Sequence, residues 1–194
     1  MKHMTISTKA LHTYLGQREA LRDIHIDATQ PELAGIIGPD GGGKRTLLRA
    51  IHSALDPMAV YLDKRAYNVT ALAASPGITL LESVLPDARN INAARAALAL
   101  VELNGLEDVP LCELTFDGRL RAALARAVLK QPDCLLIDES LFIADAELQA
   151  RWLATIKAVG ITAFAALSDG HTAATHCDRL YVVERGKVCH AMCM

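Results

Sequence analysis

Apolar and polar positions along the chain follow two spacings. Short β-branched or apolar runs bounded by turn residues predict strands at 24–28, 33–37, 59–62, 134–137, 162–167 and 180–183. Apolar residues three and four apart predict helices at 44–55, 91–103, 118–130 and 146–159, and Gly160 stands where the last needs a C-terminal cap. Strands alternating with helices predict an α/β fold with a mostly parallel central sheet. Between Ile78 and Lys130 helical spacing dominates, which predicts a helical lobe inserted into the sheet domain. No repeat, low-complexity segment or linker divides the chain.

Composition narrows the classes. The 194 residues suffice for one domain, and 52% hydrophobic against 22% charged residues excludes a disordered chain. Aromatics make up 4%, so the core is aliphatic. A net charge of -2 without a basic stripe argues against a nucleic-acid partner. The longest apolar runs, such as 161–167, fall short of the roughly 20 residues of a spanning helix. Met1-Lys2-His3-Met4-Thr5 lacks the apolar core of a signal peptide. Cys112, Cys134, Cys177, Cys189 and Cys193 are scattered with no CxxC pair, as expected of a reduced cytosolic protein.

The strongest chemical signal runs from Leu33 to Leu48. An apolar strand enters Gly38-Pro39-Asp40-Gly41-Gly42-Gly43-Lys44-Arg45-Thr46, and an apolar-periodic helix follows. Glycines let consecutive N–H groups converge on a phosphate, the helix N-terminus adds partial positive charge, and Lys44 supplies an ammonium. The G-x-x-x-x-G-K-[ST] pattern holds through Lys44 and breaks at Arg45, where a hydroxyl would ligate Mg²⁺. A glycine-rich turn with an incidental lysine is the plainer alternative; the order strand, loop, helix argues against it. The run Gly41-Gly42-Gly43 predicts a loop that is loose before binding.

A second segment selects among phosphate-loop families. Leu114-Thr115-Phe116-Asp117-Gly118 leads into Ala123-Leu124-Ala125-Arg126-Ala127, Pro132 and Leu135-Leu136-Ile137-Asp138-Glu139. This resembles the signature helix and Walker B strand of ABC-transporter ATP-binding subunits. Tyr14, followed by the segment 18–24, is similar to that family's adenine-stacking loop and next strand; 177–188 is similar to its last strand and turn. The resemblance implies one nucleotide-binding domain over 1–194, a P-loop NTPase-like mixed sheet flanked by helices with a shortened helical lobe at about 76–131. It implies ATP as ligand, held by Tyr14, Gly38, Asp40, Gly41, Gly42, Gly43, Lys44, Arg45 and Thr46. Asp138, delivered by a buried strand, would hold Mg²⁺ directly or through water, and Glu139 would orient or deprotonate the attacking water as the catalytic residue. The implied partners are a membrane-spanning permease and a second ATP-binding subunit, as homodimer or heterodimer. The implied place is the cytoplasmic face of the cell membrane.

Four positions depart from the family's pattern. Arg45 replaces the hydroxyl residue, and Leu114-Thr115-Phe116-Asp117-Gly118 replaces LSGGQ, so that Phe116 blocks and Asp117 repels a partner's nucleotide. Ser168 stands where the switch histidine belongs, with His171 and His176 nearby, and Ala73-Ala74-Ser75 offers no glutamine before Pro76. Together these predict weak or altered hydrolysis, or a pseudo-ATPase that regulates or scaffolds a competent subunit. A small-molecule kinase would keep the phosphate loop but leave Ala123-Leu124-Ala125-Arg126-Ala127 unexplained, although Thr46 leaves room for metal-assisted chemistry. Arg45 either bridges Asp138 and the phosphates in place of the metal or points to solvent. The tail Cys189-His190-Ala191-Met192-Cys193-Met194 carries soft metal ligands, with a frayed end as the plainer expectation.

Overall fold

The computed structural model describes residues 6–15, 17–28, 31–55, 58–63, 77–85, 90–141 and 146–193. The segment Ala73-Ala74-Ser75 lies outside them, as do Met1 to Thr5 and Met194. The chain forms two compact units, one of residues 1–63 with 133–194 and one of residues 64–132.

The first unit is built on a six-stranded sheet ordered β4-β5-β6-β3-β7-β8. Its strands are β3 (Leu33–Ile37), β4 (Ala59–Leu62), β5 (Cys134–Ile137), β6 (Thr162–Ala166), β7 (Arg179–Glu184) and β8 (Lys187–Cys193). All neighbours are parallel except β7 and β8. A separate antiparallel pair joins β1 (Ile6–Leu15) to β2 (Arg18–Ala28). The helices are α1 (Lys44–Leu55), α5 (Ala146–Ala158) and α6 (Gly170–His176). The central strands carry apolar side chains on both faces and are buried throughout, as parallel strands covered on both sides require. Leu47, Leu48 and Ile51 of α1 share one core with Ile36, Leu136, Phe164 and Tyr181 of the sheet and Leu21, Ile24 and Ile26 of β2.

The second unit holds α2 (Leu80–Val84), α3 (Ile91–Leu100) and α4 (Phe116–Leu129). α2 is short, but Thr79 and Glu82 form a reciprocal cap: Glu82 N donates to Thr79 Oγ1 at 3.2 Å and Thr79 N to Glu82 Oε2 at 2.8 Å. Asn90 and Thr115 cap α3 and α4.

Four elements lie outside the expected helices and strands: α2, whose five residues are too few to show a period, and the three that follow. β1 carries polar residues at Ser7, Thr8, Lys9, His12 and Thr13, so its pattern does not declare a strand; pairing with β2 makes it one. α6 is nucleated by Asp169, whose carboxylate accepts from His171 N and Thr172 N. The tail as far as Cys193 is an edge strand rather than a frayed end, because Arg185 (φ 49°) and Gly186 (φ 76°) make the two-residue turn that folds β8 back on β7.

Candidate functional site

The loop after β3 is shaped by what it packs against. Gly38 has φ 148°, and a Cβ there would sit 2.0 Å from the Val183 carbonyl oxygen of β7. Gly42 N donates to Pro39 O at 3.0 Å, and Gly42 O accepts from Gly186 N at 3.0 Å. Leu47 N donates to Gly43 O at 2.8 Å, which starts α1. The loop expected to be loose is therefore tied at its middle glycine to the tip of the β7–β8 hairpin.

Parallel pairing puts the C-terminal ends of β3 and β5 at one edge of the sheet with β6 between them, where ligands of open α/β sheets gather. There Lys44, only 6% exposed, donates from Nζ to Gly38 O at 2.7 Å. The same Nζ lies 3.2 Å from Glu139 Oε2, an ion-pair contact, and 3.9 Å from Asp40 Oδ1.

Asp138, 1% exposed at the tip of β5, has protein donors on both carboxylate oxygens. Oδ1 accepts from Arg45 Nη2 at 2.9 Å and from Ser140 N at 2.9 Å. Oδ2 accepts from Arg45 Nε at 2.7 Å and from the Tyr61 hydroxyl at 2.9 Å. Burial pushes this carboxyl up, but the donors Arg45, Ser140 and Tyr61 outweigh it and hold it below the ordinary carboxylate range. The hydrogen bond to Asp138 raises the Arg45 guanidinium further; burial, then the Asp138 charge, raises the Tyr61 phenol. Of the two orientations open to Arg45, the turn toward Asp138 is the observed one, while its side chain stays 57% exposed.

Asp40, Gly41, Gly43, Lys44, Arg45, Thr46, Asp138 and Glu139 line one cavity of about 350 Å³. Gly38 and Gly42 shape the loop beneath without lining it. Tyr14 is 62% exposed on β1 and lines neither this cavity nor a second one of about 430 Å³. Its neighbours His12 and Thr13 do line the second, with Arg45, Thr46 and Arg49. Sequence reading missed Tyr61 on β4; a tyrosine in a half-buried strand needs a partner for its hydroxyl, and that need was the available signal. Ser168 is exposed just beyond β6, and Asp169 beside it caps α6.

In the second unit Thr115 Oγ1 accepts from Gly118 N at 3.1 Å, capping α4. Asp117 Oδ2 accepts from Arg121 Nε at 2.9 Å, and Arg121 Nη1 pairs with Glu102 at 2.6 Å. Asp117 is thus paired with a buried arginine one turn on, which it shares with Glu102, while Phe116 is exposed.

A divalent cation bound at Asp138 would need a free lone pair on that carboxylate, although a hydroxyl, that of Thr46, does line the cavity. The four acceptor positions of this carboxylate are filled by protein donors, and the residue after Lys44 is an arginine. The residues present do not fit Mg²⁺ there. Among the described residues no group of three or more His, Cys, Asp or Glu is placed to hold a metal ion.

Sheet order, glycine loop, buried lysine and Asp-Glu strand tip define a P-loop α/β protein. The family whose description reads "ABC transporter" matches residues 21–141, and the chain belongs to that family. It is 30% identical to the sulfate/thiosulfate import ATP-binding protein CysA 1 of Rhizobium meliloti (strain 1021), over 95% of this chain and 62% of that protein. It is 28% identical to the spermidine/putrescine import ATP-binding protein PotA of Aggregatibacter actinomycetemcomitans, over 94% of this chain and 56% of that protein. The chain thus spans about three fifths of the length of these relatives. The nucleotide-free ATP-binding cassette of an ABC transporter superposes with a TM-score of 0.80 at 19% identity, covering 99% of this chain and 92% of that one. The ADP conformation of the cassette MJ1267 gives 0.80 at 18%, covering 100% and 92%. These two likenesses establish the fold.

Proposed function

We propose that this chain is the ATP-binding subunit of an ABC-type membrane transporter, taking nucleotide phosphates at the loop 38–46. The observation that carries the reading is the cavity where Lys44, Arg45 and the loop glycines converge. Lys44 and the N-terminus of α1 attract the phosphates, and Glu139 stands beside Lys44, where a carboxylate can orient water. ATP is the nucleotide named in the relatives, which are import proteins, so import is the direction favoured. A permease selects the cargo in this reading, and a second ATP-binding subunit completes the site. A related cassette, MJ0796, is described as a dimer bound to ADP and Pi. Among the described residues no helix is long and apolar enough to cross a membrane, which suits a peripheral subunit on the cytoplasmic face.

Hydrolysis in this reading is weak or altered. The filled carboxylate of Asp138 and the serine at 168 also favour a second reading, a pseudo-ATPase that regulates or scaffolds a competent subunit. Calorimetric ATP titration followed by phosphate-release assays, alone and with a co-expressed permease, separates the two. Binding lost in Lys44→Ala with turnover lost in Glu139→Gln supports the transporter ATPase; binding without turnover supports the pseudo-ATPase. No binding at all overturns both.

A further inference from the structure

We propose that Arg45 serves as the built-in cation of this site, so that the chain binds a nucleoside polyphosphate without a divalent metal. The inference rests on the nucleotide reading of the cavity and specifies how that site meets phosphate. Arg45 lines the cavity and is anchored from behind. Two of its five N–H donors go to Asp138 in a parallel pair, and Asp138 is fixed in turn by Tyr61 and Ser140. An arginine held this way loses little further freedom on meeting a ligand. Its remaining N–H groups belong to a half-exposed guanidinium, whose fork geometry matches phosphate oxygens. Lys44 stands one residue away with its ammonium on the same cavity, so two cations, each paired with a carboxylate (Glu139 and Asp138), face one volume.

Arg45 and a metal ion differ in the charge they leave at Asp138. A divalent ion beside Asp138 would leave one net positive charge, whereas Arg45 with Asp138 is neutral as a pair and presents only a local positive edge. The guanidinium addresses the phosphate oxygens that a metal would hold, so the free nucleotide binds without its magnesium ion.

Calorimetric titration of the purified chain with ATP, in excess EDTA and in excess Mg²⁺, tests this. The expected dissociation constant in EDTA is within about threefold of that in Mg²⁺, or smaller. Binding at least about tenfold weaker in EDTA overturns the proposal while leaving nucleotide binding standing. No binding in either buffer overturns both. Arg45→Ser, which restores a hydroxyl and frees Asp138, is expected to bind at least about tenfold more weakly in EDTA and to regain affinity with Mg²⁺. Unchanged binding of that variant in EDTA, with a cooperative melting transition showing it is folded, also overturns the proposal. The wild-type comparison decides the matter even if Arg45→Ser does not fold.

Discussion

Gly186 donates its backbone N–H to the carbonyl of Gly42 at 3.0 Å, joining the tip of the β7–β8 hairpin to the middle of the phosphate loop. Gly186 is also wedged against β2: a Cβ there would lie 2.1 Å from the Ala20 carbonyl oxygen. Gly186→Ala meets both the clash and a φ of 76°. It is expected to cost about 2–4 kcal/mol and lower the melting temperature by about 5–15 °C. Gly105→Ala is the control, since Gly105 has φ 82° and nothing within 4 Å of an added Cβ; its cost is expected near 1 kcal/mol. Equal melting shifts in the two variants would refute the packing role of Gly186.

Lys44 faces Glu139 at 3.2 Å, so a phosphate must compete with that carboxylate. Glu139→Gln is expected to tighten ATP binding by about two- to fivefold, and Lys44→Ala to weaken it by about tenfold or more. Titration of both variants checks this, and weaker binding in Glu139→Gln would contradict it.

Asp138 has its carboxyl lowered by Arg45, Ser140 and Tyr61 against the opposing effect of burial. A lowered folded pKa contributes stability that is present above the unfolded value, about 3.9, and is lost as pH falls toward the folded value. Asp138→Asn is expected to be about 2–3 kcal/mol less stable at pH 7, less than for a fully buried pair because Arg45 is half exposed. The gap to wild type is expected to narrow below about pH 4. Urea unfolding of both proteins from pH 7 to pH 3 measures it; a pH-independent gap would count against the assignment.

Tyr61→Phe removes the hydroxyl that donates to Asp138 at 2.9 Å and leaves the ring in place. The expected loss is about 1.5–3 kcal/mol, as for a hydrogen bond to a charged group, read by chemical denaturation. A change below about 0.5 kcal/mol would show that water replaces the phenol without cost.

Among the described side chains, the cysteines divide by burial. Cys134 and Cys177 are buried, and burial pushes each thiol up to about 12. Cys112 and Cys189 are exposed. A thiol reagent at pH 7.5, mapped by mass spectrometry, is expected to label Cys112 and Cys189 in minutes and Cys134 and Cys177 only after unfolding. Rapid labelling of Cys134 in the native protein would place β5 outside the core.

The sequence alone carried the elements whose stability is local or whose burial is complete. The apolar runs of β3 and β5 are buried on both faces and so declare themselves by composition, and α1 follows from its periodicity after the glycines. The Arg45 break in the phosphate motif was legible residue by residue. Tertiary structure decided the rest, because those features depend on groups far apart in the chain. β1 and β8 exist through pairing with β2 and β7, and their own patterns are too polar or too irregular to require a strand. The triple-glycine loop is held by a carbonyl contact to Gly186, which no spacing rule reports. The choice of Arg45 between solvent and Asp138 was settled by parallel strand order, which brings residues 45 and 138 to one edge, and by Tyr61, which completes the donors around a carboxylate too buried to remain unpaired.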